Sequence, residues 1–111
     1  VMESLEASAC RRPNEINHSG GGANSDIWCQ IRADILGRPI KRMKMRDAGV
    51  LGAALIAGTG VAVFQSLNAA ANNFIAVDRV FEPDHTQQLR HDEGYGKYKQ
   101  LYQQLKPWHL R

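Results

Sequence analysis

The sequence predicts an α/β chain, a βαβα unit followed by a C-terminal helix. Three observations point there. Two short strand patterns, Glu15–His18 and Ile40–Met45, each lead through a turn into a helical pattern. A triple glycine separates the first strand from its helix. Capping residues stand where the helices should begin and end. Strands that alternate with helices pair in parallel through right-handed crossovers.

Taken in order, Met2, Leu5 and Ala9 share one face of a first helix, and Pro13-Asn14 ends it. The strand at 15–18 runs into Ser19-Gly20-Gly21-Gly22-Ala23. Asn24 or Ser25 caps the second helix, Asp26 suits its dipole, and Gly37 closes it. Ile27, Trp28, Ile31, Ile35 and Leu36 read as its apolar face, with Gln30 and Arg32 outward. In the second strand, Met43 and Met45 point one way, Lys44 and Arg46 the other. Asp47 caps a third helix through GVLGAALIAGTG, whose Gly49, Gly52, Ala53 and Ala57 form a stripe open to close approach. SLNAAANNF reads as helical and RVFEP as extended. Tyr95–Leu105 is an amphipathic helix with Tyr98, Leu101, Tyr102 and Leu105 on one face. Two parallel strands make a poor sheet, so the chain reads as part of a larger α/β domain.

Composition narrows the function classes. The 111 residues carry a net charge of +3 and are 43% hydrophobic, which excludes a disordered or fibrous chain. Cys10 and Cys29 stand far apart and read as reduced thiols, in keeping with a cytoplasmic protein. The N-terminus lacks the features of a secretory signal, and it opens in mid-helix, as though residues precede it. No charge occurs between Asp47 and Asp78. That stretch is rich in Gly and Ala and is followed by Gln65, Asn68, Asn72 and Asn73, which favours a buried helix over a membrane span. Arg38, Lys41, Arg42, Lys44 and Arg46 crowd one segment with no aromatic among them, the pattern of a solvated strand and not of a nucleic-acid patch. The four histidines are scattered and suggest no metal site.

The chemistry concentrates in the glycine turn. Three residues without Cβ let a flat or charged ligand reach the main chain, and the helix N-terminus favours negative charge. The competing explanation is a tight turn that needs left-handed backbone. The run fits neither GxGxxG, because Ala23 stands in the last position, nor a P-loop, because no Lys-Ser/Thr follows.

The ordered set Gly20-Gly21-Gly22-Ala23, Ser25, Trp28, Gln30, Ala33-Asp34, Leu36-Gly37, Pro39, then Gly49 and Gly52-Ala53-Ala54, then Pro83, Tyr95, Tyr98 and Leu101-Tyr102 resembles the C-terminal domain of FGGY-family carbohydrate kinases, xylulokinase-like ones in flavour. The resemblance implies a ribonuclease-H-like, actin-like ATPase fold. Residues 1–111 would form the last portion of the nucleotide-binding domain, without its first strands and without the N-terminal domain. It implies transfer of the γ-phosphate of ATP, with Mg²⁺, to a sugar or polyol hydroxyl, a xylulose-like ketose first. Gly20, Gly21, Gly22, Ala23, Asn24 and Asp26 would line the nucleotide. The catalytic base and sugar pocket would belong to an N-terminal half outside this chain, so no catalytic residue is assigned and the chain alone should be inactive. Asp34 reads as structural. Two other readings compete: a non-catalytic nucleotide-binding or interaction module, and a small basic RNA-binding protein using residues 38–46. Missing strands should expose apolar surface and drive self-association.

Overall fold

The computed structural model describes residues 2–109. The elements run α1 (Met2–Ala9), β1 (Ile16–His18), a 3₁₀ turn (Gly21–Asn24), α2 (Asp26–Leu36), β2 (Ile40–Met43), α3 (Ala48–Gly60), α4 (Leu67–Phe74), β3 (Val77–Phe81) and α5 (His85–His109). The strands form one sheet in the order β1-β2-β3. β1 and β2 are parallel, pairing Ile16 with Ile40 and His18 with Arg42. The crossover between them is the glycine turn and α2.

The third strand departs from the two-stranded expectation. β3 runs antiparallel to β2, with Phe81 opposite Ile40 and Arg79 opposite Arg42, and the ladder slips between Arg42 and Met43. Its pattern hides it: Phe81 and Arg79 share a face, because that face is apolar at one end and ionic at the other. The same slip ends β2 at Met43, two residues early. Met43 and Met45 still line one cavity, beside α3.

α2 seats its small side chains on the sheet. Cys29 and Ala33 are wholly buried and pack with Ile40 and Phe81, flanked by Ile16 and Leu36. This corrects the expected apolar face, since Ile27, Trp28 and Ile35 are exposed. Small residues let the helix come close, and the polar pair that lies beside them is satisfied internally. Gln30 Nε2 donates to Asp34 Oδ1 and to the Glu82 carbonyl, both at 2.8 Å. Asp34 also accepts the Asp84 N–H at 2.7 Å. A buried carboxylate thus fastens α2 to the β3–α5 junction. The Ser25 hydroxyl caps α2 through Trp28 N, and left-handed Gly37 ends it.

α3 begins on Asp47, whose carboxylate accepts from Val50 N. Only Leu55 is buried on it; Gly49 and Gly52 border cavities, while Ala53 and Ala57 of the expected stripe face outward. α5 is far longer than the expected 95–105. Asp84 receives Thr86 N and Oγ1 at its start, and Gly94 and Gly96 inside it weaken the helical signal. The first turns of α5 pack on α2, and Tyr95 donates to Glu3 of α1 at 2.9 Å. Beyond them Tyr98, Leu101, Tyr102, Leu105 and Trp108 are exposed. The radius of gyration is 18.2 Å, against about 13 Å for a compact chain of this length. No helix among the described residues is long and apolar enough to cross a membrane.

Replacing Asp34 by Ala should cost about 2 kcal/mol, because it leaves the Asp84 N–H without its charged acceptor. Ile27→Ala should change stability by no more than about 0.5 kcal/mol despite removing a large apolar group. Urea unfolding of the two variants beside the parent chain measures both, and equal losses would contradict the placement of α2.

Candidate functional site

A cleft of about 440 Å³ opens at the carboxyl ends of β1 and β2, lined by Ser19, Gly20, Gly21, Arg46, Asp47, Ala48 and Gly49. Its two walls are the glycine turn and the start of α3. Ligands of open α/β sheets bind at this end of the strands. Asp47 occupies Val50 N with its side chain and Leu51 N with its carbonyl. The N–H groups of Ala48 and Gly49, the first of the helix, have no acceptor within it. Gly20 N donates to the Arg46 carbonyl at 2.6 Å, which ties the turn to the segment leading into α3.

The three glycines are there for different reasons. Gly20 has φ +85°, a conformation that side chains rarely adopt. At Gly22 a Cβ would lie 3.2 Å from Trp28 Cδ1, so the indole would have to give by a few tenths of an ångström to admit one. Gly21 has neither constraint: its backbone is not left-handed, and a Cβ there would meet nothing within 4 Å. It fronts the cleft.

The other residues singled out in the sequence lie around this turn in distinct settings. Ala23 is wholly buried, so its side chain faces the interior and not the cleft. Asn24 Oδ1 accepts from Arg46 Nε at 3.2 Å. Asp26 pairs with Arg42 and, at 2.6 Å, with Arg79. Asp78 binds Arg42 at 2.7 Å and Arg46 at 3.0 Å. Arg46 and then Arg42 hold its carboxyl below the usual carboxylate range. Arg42 and Arg79 both lie over the Phe81 ring, at 5.3 and 4.8 Å from its centre. The basic run of β2 is therefore spent within the fold. Arg38 pairs with Glu6 and Lys41 with Glu15, and of the five cations Lys44 alone lacks an ion pair among the described residues.

His18, behind the turn, is buried. Arg32 Nη1 donates to its Nε2 at 2.9 Å, and its Nδ1 lies 3.5 Å from Cys29 Sγ. Burial first, and Arg32 second, push its pKa below the ordinary histidine value. Sequence reasoning missed the cleft's second wall, Arg46 to Gly49: those residues lie more than twenty positions beyond the turn, and only the parallel pairing of β1 with β2 brings them there. Among the described residues no cluster of three His, Cys, Asp or Glu side chains could hold a metal ion.

The chain is similar to known proteins over most of its length. Residues 1–61 match the FGGY family of carbohydrate kinases, C-terminal domain. The chain is 38% identical over 93 residues to the xylulose kinase of Staphylococcus epidermidis, covering 84% of this chain and 19% of that protein. The ligand-bound xylulose kinase of Lactobacillus acidophilus superposes with a TM-score of 0.76 at 27% identity, over 86% of this chain and 19% of that one. The xylulose kinase of Rhodospirillum rubrum gives the same TM-score at 24% identity, over 98% and 22%. These last two also share the fold, the actin-like ATPase architecture expected of the resemblance. The chain thus spans about a fifth of the length of the relatives it matches, and it belongs to the FGGY family of carbohydrate kinases.

Proposed function

We propose that this chain supplies the nucleotide-facing wall of a kinase that moves the γ-phosphate of ATP to a sugar or polyol hydroxyl, a xylulose-like ketose first, in the cytoplasm. Residues 1–111 are read as the last portion of its nucleotide-binding domain. The observation that carries this is Gly21. The fold gives no reason for a glycine there, whereas a ligand lying against bare backbone does.

The residues present fit such a group. Gly20 and Gly21 offer a surface free of side chains, and Gly22, Ala23, Asn24 and Asp26 hold that surface in place. The Arg46 guanidinium is taken up by Asp78, Asn24 and the Met43 carbonyl, whereas the N–H groups of Ala48 and Gly49 at the start of α3 favour negative charge at the other wall. The Asp47 carboxylate opposes it, which suits hydroxyl donors near that edge better than a phosphate. ATP supplies the phosphoryl group, and Mg²⁺ enters with its phosphates, held by segments of the kinase outside this chain. What these residues do is placement, on which phosphoryl transfer largely depends. The sugar and the catalytic base belong to a domain that must dock beside this one, so the chain alone phosphorylates nothing. The ion-paired basic run argues against the RNA-binding alternative.

Gly21→Val should fold as stably as the parent, since the side chain enters open space. It should weaken ADP binding at least tenfold, read from ¹H–¹⁵N shifts of Gly20, Ala48 and Gly49. Unchanged ADP affinity with an intact fold would defeat the nucleotide reading.

Exposed apolar side chains on α3 and α5, Val50, Ile56, Leu101, Tyr102 and Trp108 among them, should make the isolated chain self-associate. Sedimentation equilibrium should return a mass above 12.4 kDa. A monodisperse monomer with a cooperative melt would contradict this.

A further inference from the structure

Behind the glycine turn the exposed Arg32 and the buried His18 and Cys29 form a chain of donors with a fixed direction. A guanidinium can only donate. Arg32 Nη1, 2.9 Å from His18 Nε2, therefore makes that nitrogen the acceptor and places the imidazole proton on Nδ1. Nδ1–H then points at Cys29 Sγ, 3.5 Å away. The thiol in turn donates to the Ala23 carbonyl at 3.7 Å. Ala23 is the buried residue of the 3₁₀ turn, and its own N–H bonds to Gly20 O at 3.0 Å. The series thus starts on the outer side of α2 and ends in the backbone that shapes the cleft.

We propose that His18 is a positioning residue for the Gly20–Ala23 turn, holding it through Cys29 while neutral and releasing it on protonation. This rests on the reading of that turn as the nucleotide wall.

The surroundings make the second proton costly. Arg32 and Cys29 face the ring from α2, and Gly22 passes Nε2 on the turn side without a side chain. Arg42 stands opposite His18 in the β1–β2 register, with Asp26 and Asp78 as its partners. A proton on Nε2 would set one cation against Arg32 and near Arg42, in a buried position. The ring must then turn toward water. That removes the Nδ1–H from Cys29 and frees Arg32, which also lies 5.3 Å from the Trp28 ring centre. Trp28 is the side chain packed on Gly22, so both contacts that steady the turn are loosened together. The pKa of His18 lies below its ordinary value through burial and Arg32, and below that of an unfolded chain. The turn is therefore secure above pH 6.5 and yields as the pH falls toward and past the folded value.

The test uses amide hydrogen exchange by NMR on the chain at pH 7.5 and 5.5, each rate corrected for its intrinsic pH dependence. The protection of Ala23 should fall severalfold at the lower pH, by no more than about tenfold for one titrating group, while Ala33 in the middle of α2 keeps its protection. In His18→Gln the Ala23 protection should be low and equal at both pH values. Unchanged protection of Ala23 in the parent chain, or a loss shared equally by Ala33, overturns the proposal. The parent comparison needs no variant, so a misfolded His18→Gln does not remove the test. Adenosine, which has no group titrating in this range, provides a second readout through the shifts of Gly20 and Gly21. Its affinity should be lower at pH 5.5, by no more than the factor by which the protection of Ala23 falls. Equal affinity at both values would overturn the link to the ligand. No shift at either value would sink the nucleotide reading, while the exchange result still decides what His18 does to the turn.

Discussion

The close seat of α2 on the sheet is the constraint from which the rest follows. Cys29 and Ala33 are small enough to let the helix axis come down on Ile40 and Phe81. At that distance one end of the helix brings Asp26 within reach of Arg42 and Arg79, and the other brings Asp34 to the Asp84 N–H. The same approach presses Cys29 against His18 and Ala23, and so shapes the turn before the helix. A larger side chain at 29 or 33 would lift the helix and loosen all of these at once, because packed interiors leave little room to adjust.

The face of the sheet under α2 is split along its length. Ile16, Ile40 and Phe81 lie at one end, and His18, Arg42 and Arg79 at the other. The apolar end supplies burial. The ionic end fixes direction, since two guanidiniums share Asp26 and stack on Phe81. Such partly exposed pairs contribute little stability one by one. As a network around one carboxylate they set the angle at which α2 leaves the glycine turn.

Much of this was legible from the residues. Ser25, Gly37 and Asp47 announce helix ends by local chemistry, and all three act at those ends. The glycine turn stands out because no neighbouring sequence explains it. What failed were the features set by distant contacts. The apolar count on α2 favoured Ile27 and Ile35, yet the buried positions are Cys29, Ala33 and Asp34, chosen by a sheet not visible from the helix. Gln30 looks like a surface residue until residue 82 arrives to receive it, whereas Asp34, read as structural, is buried and accepts the Asp84 N–H. β3 was read only in part, as the extended RVFEP, and its pairing with β2 was obscured because its inward positions hold an arginine beside a phenylalanine. Arg46 to Gly49 could join the site only once the strands were paired.

The fastening of α5 has a mechanical result. Asp34 and Tyr95 secure only its early turns, while the helix runs on through His109. At 1.5 Å per residue its 25 residues reach about 37 Å. A swing of about 10° at residue 84 would carry the far end some 6 Å, so this helix is a lever. Any body gripping Tyr102 and Trp108 would report, greatly magnified, small rotations at the junction that Asp34 pins.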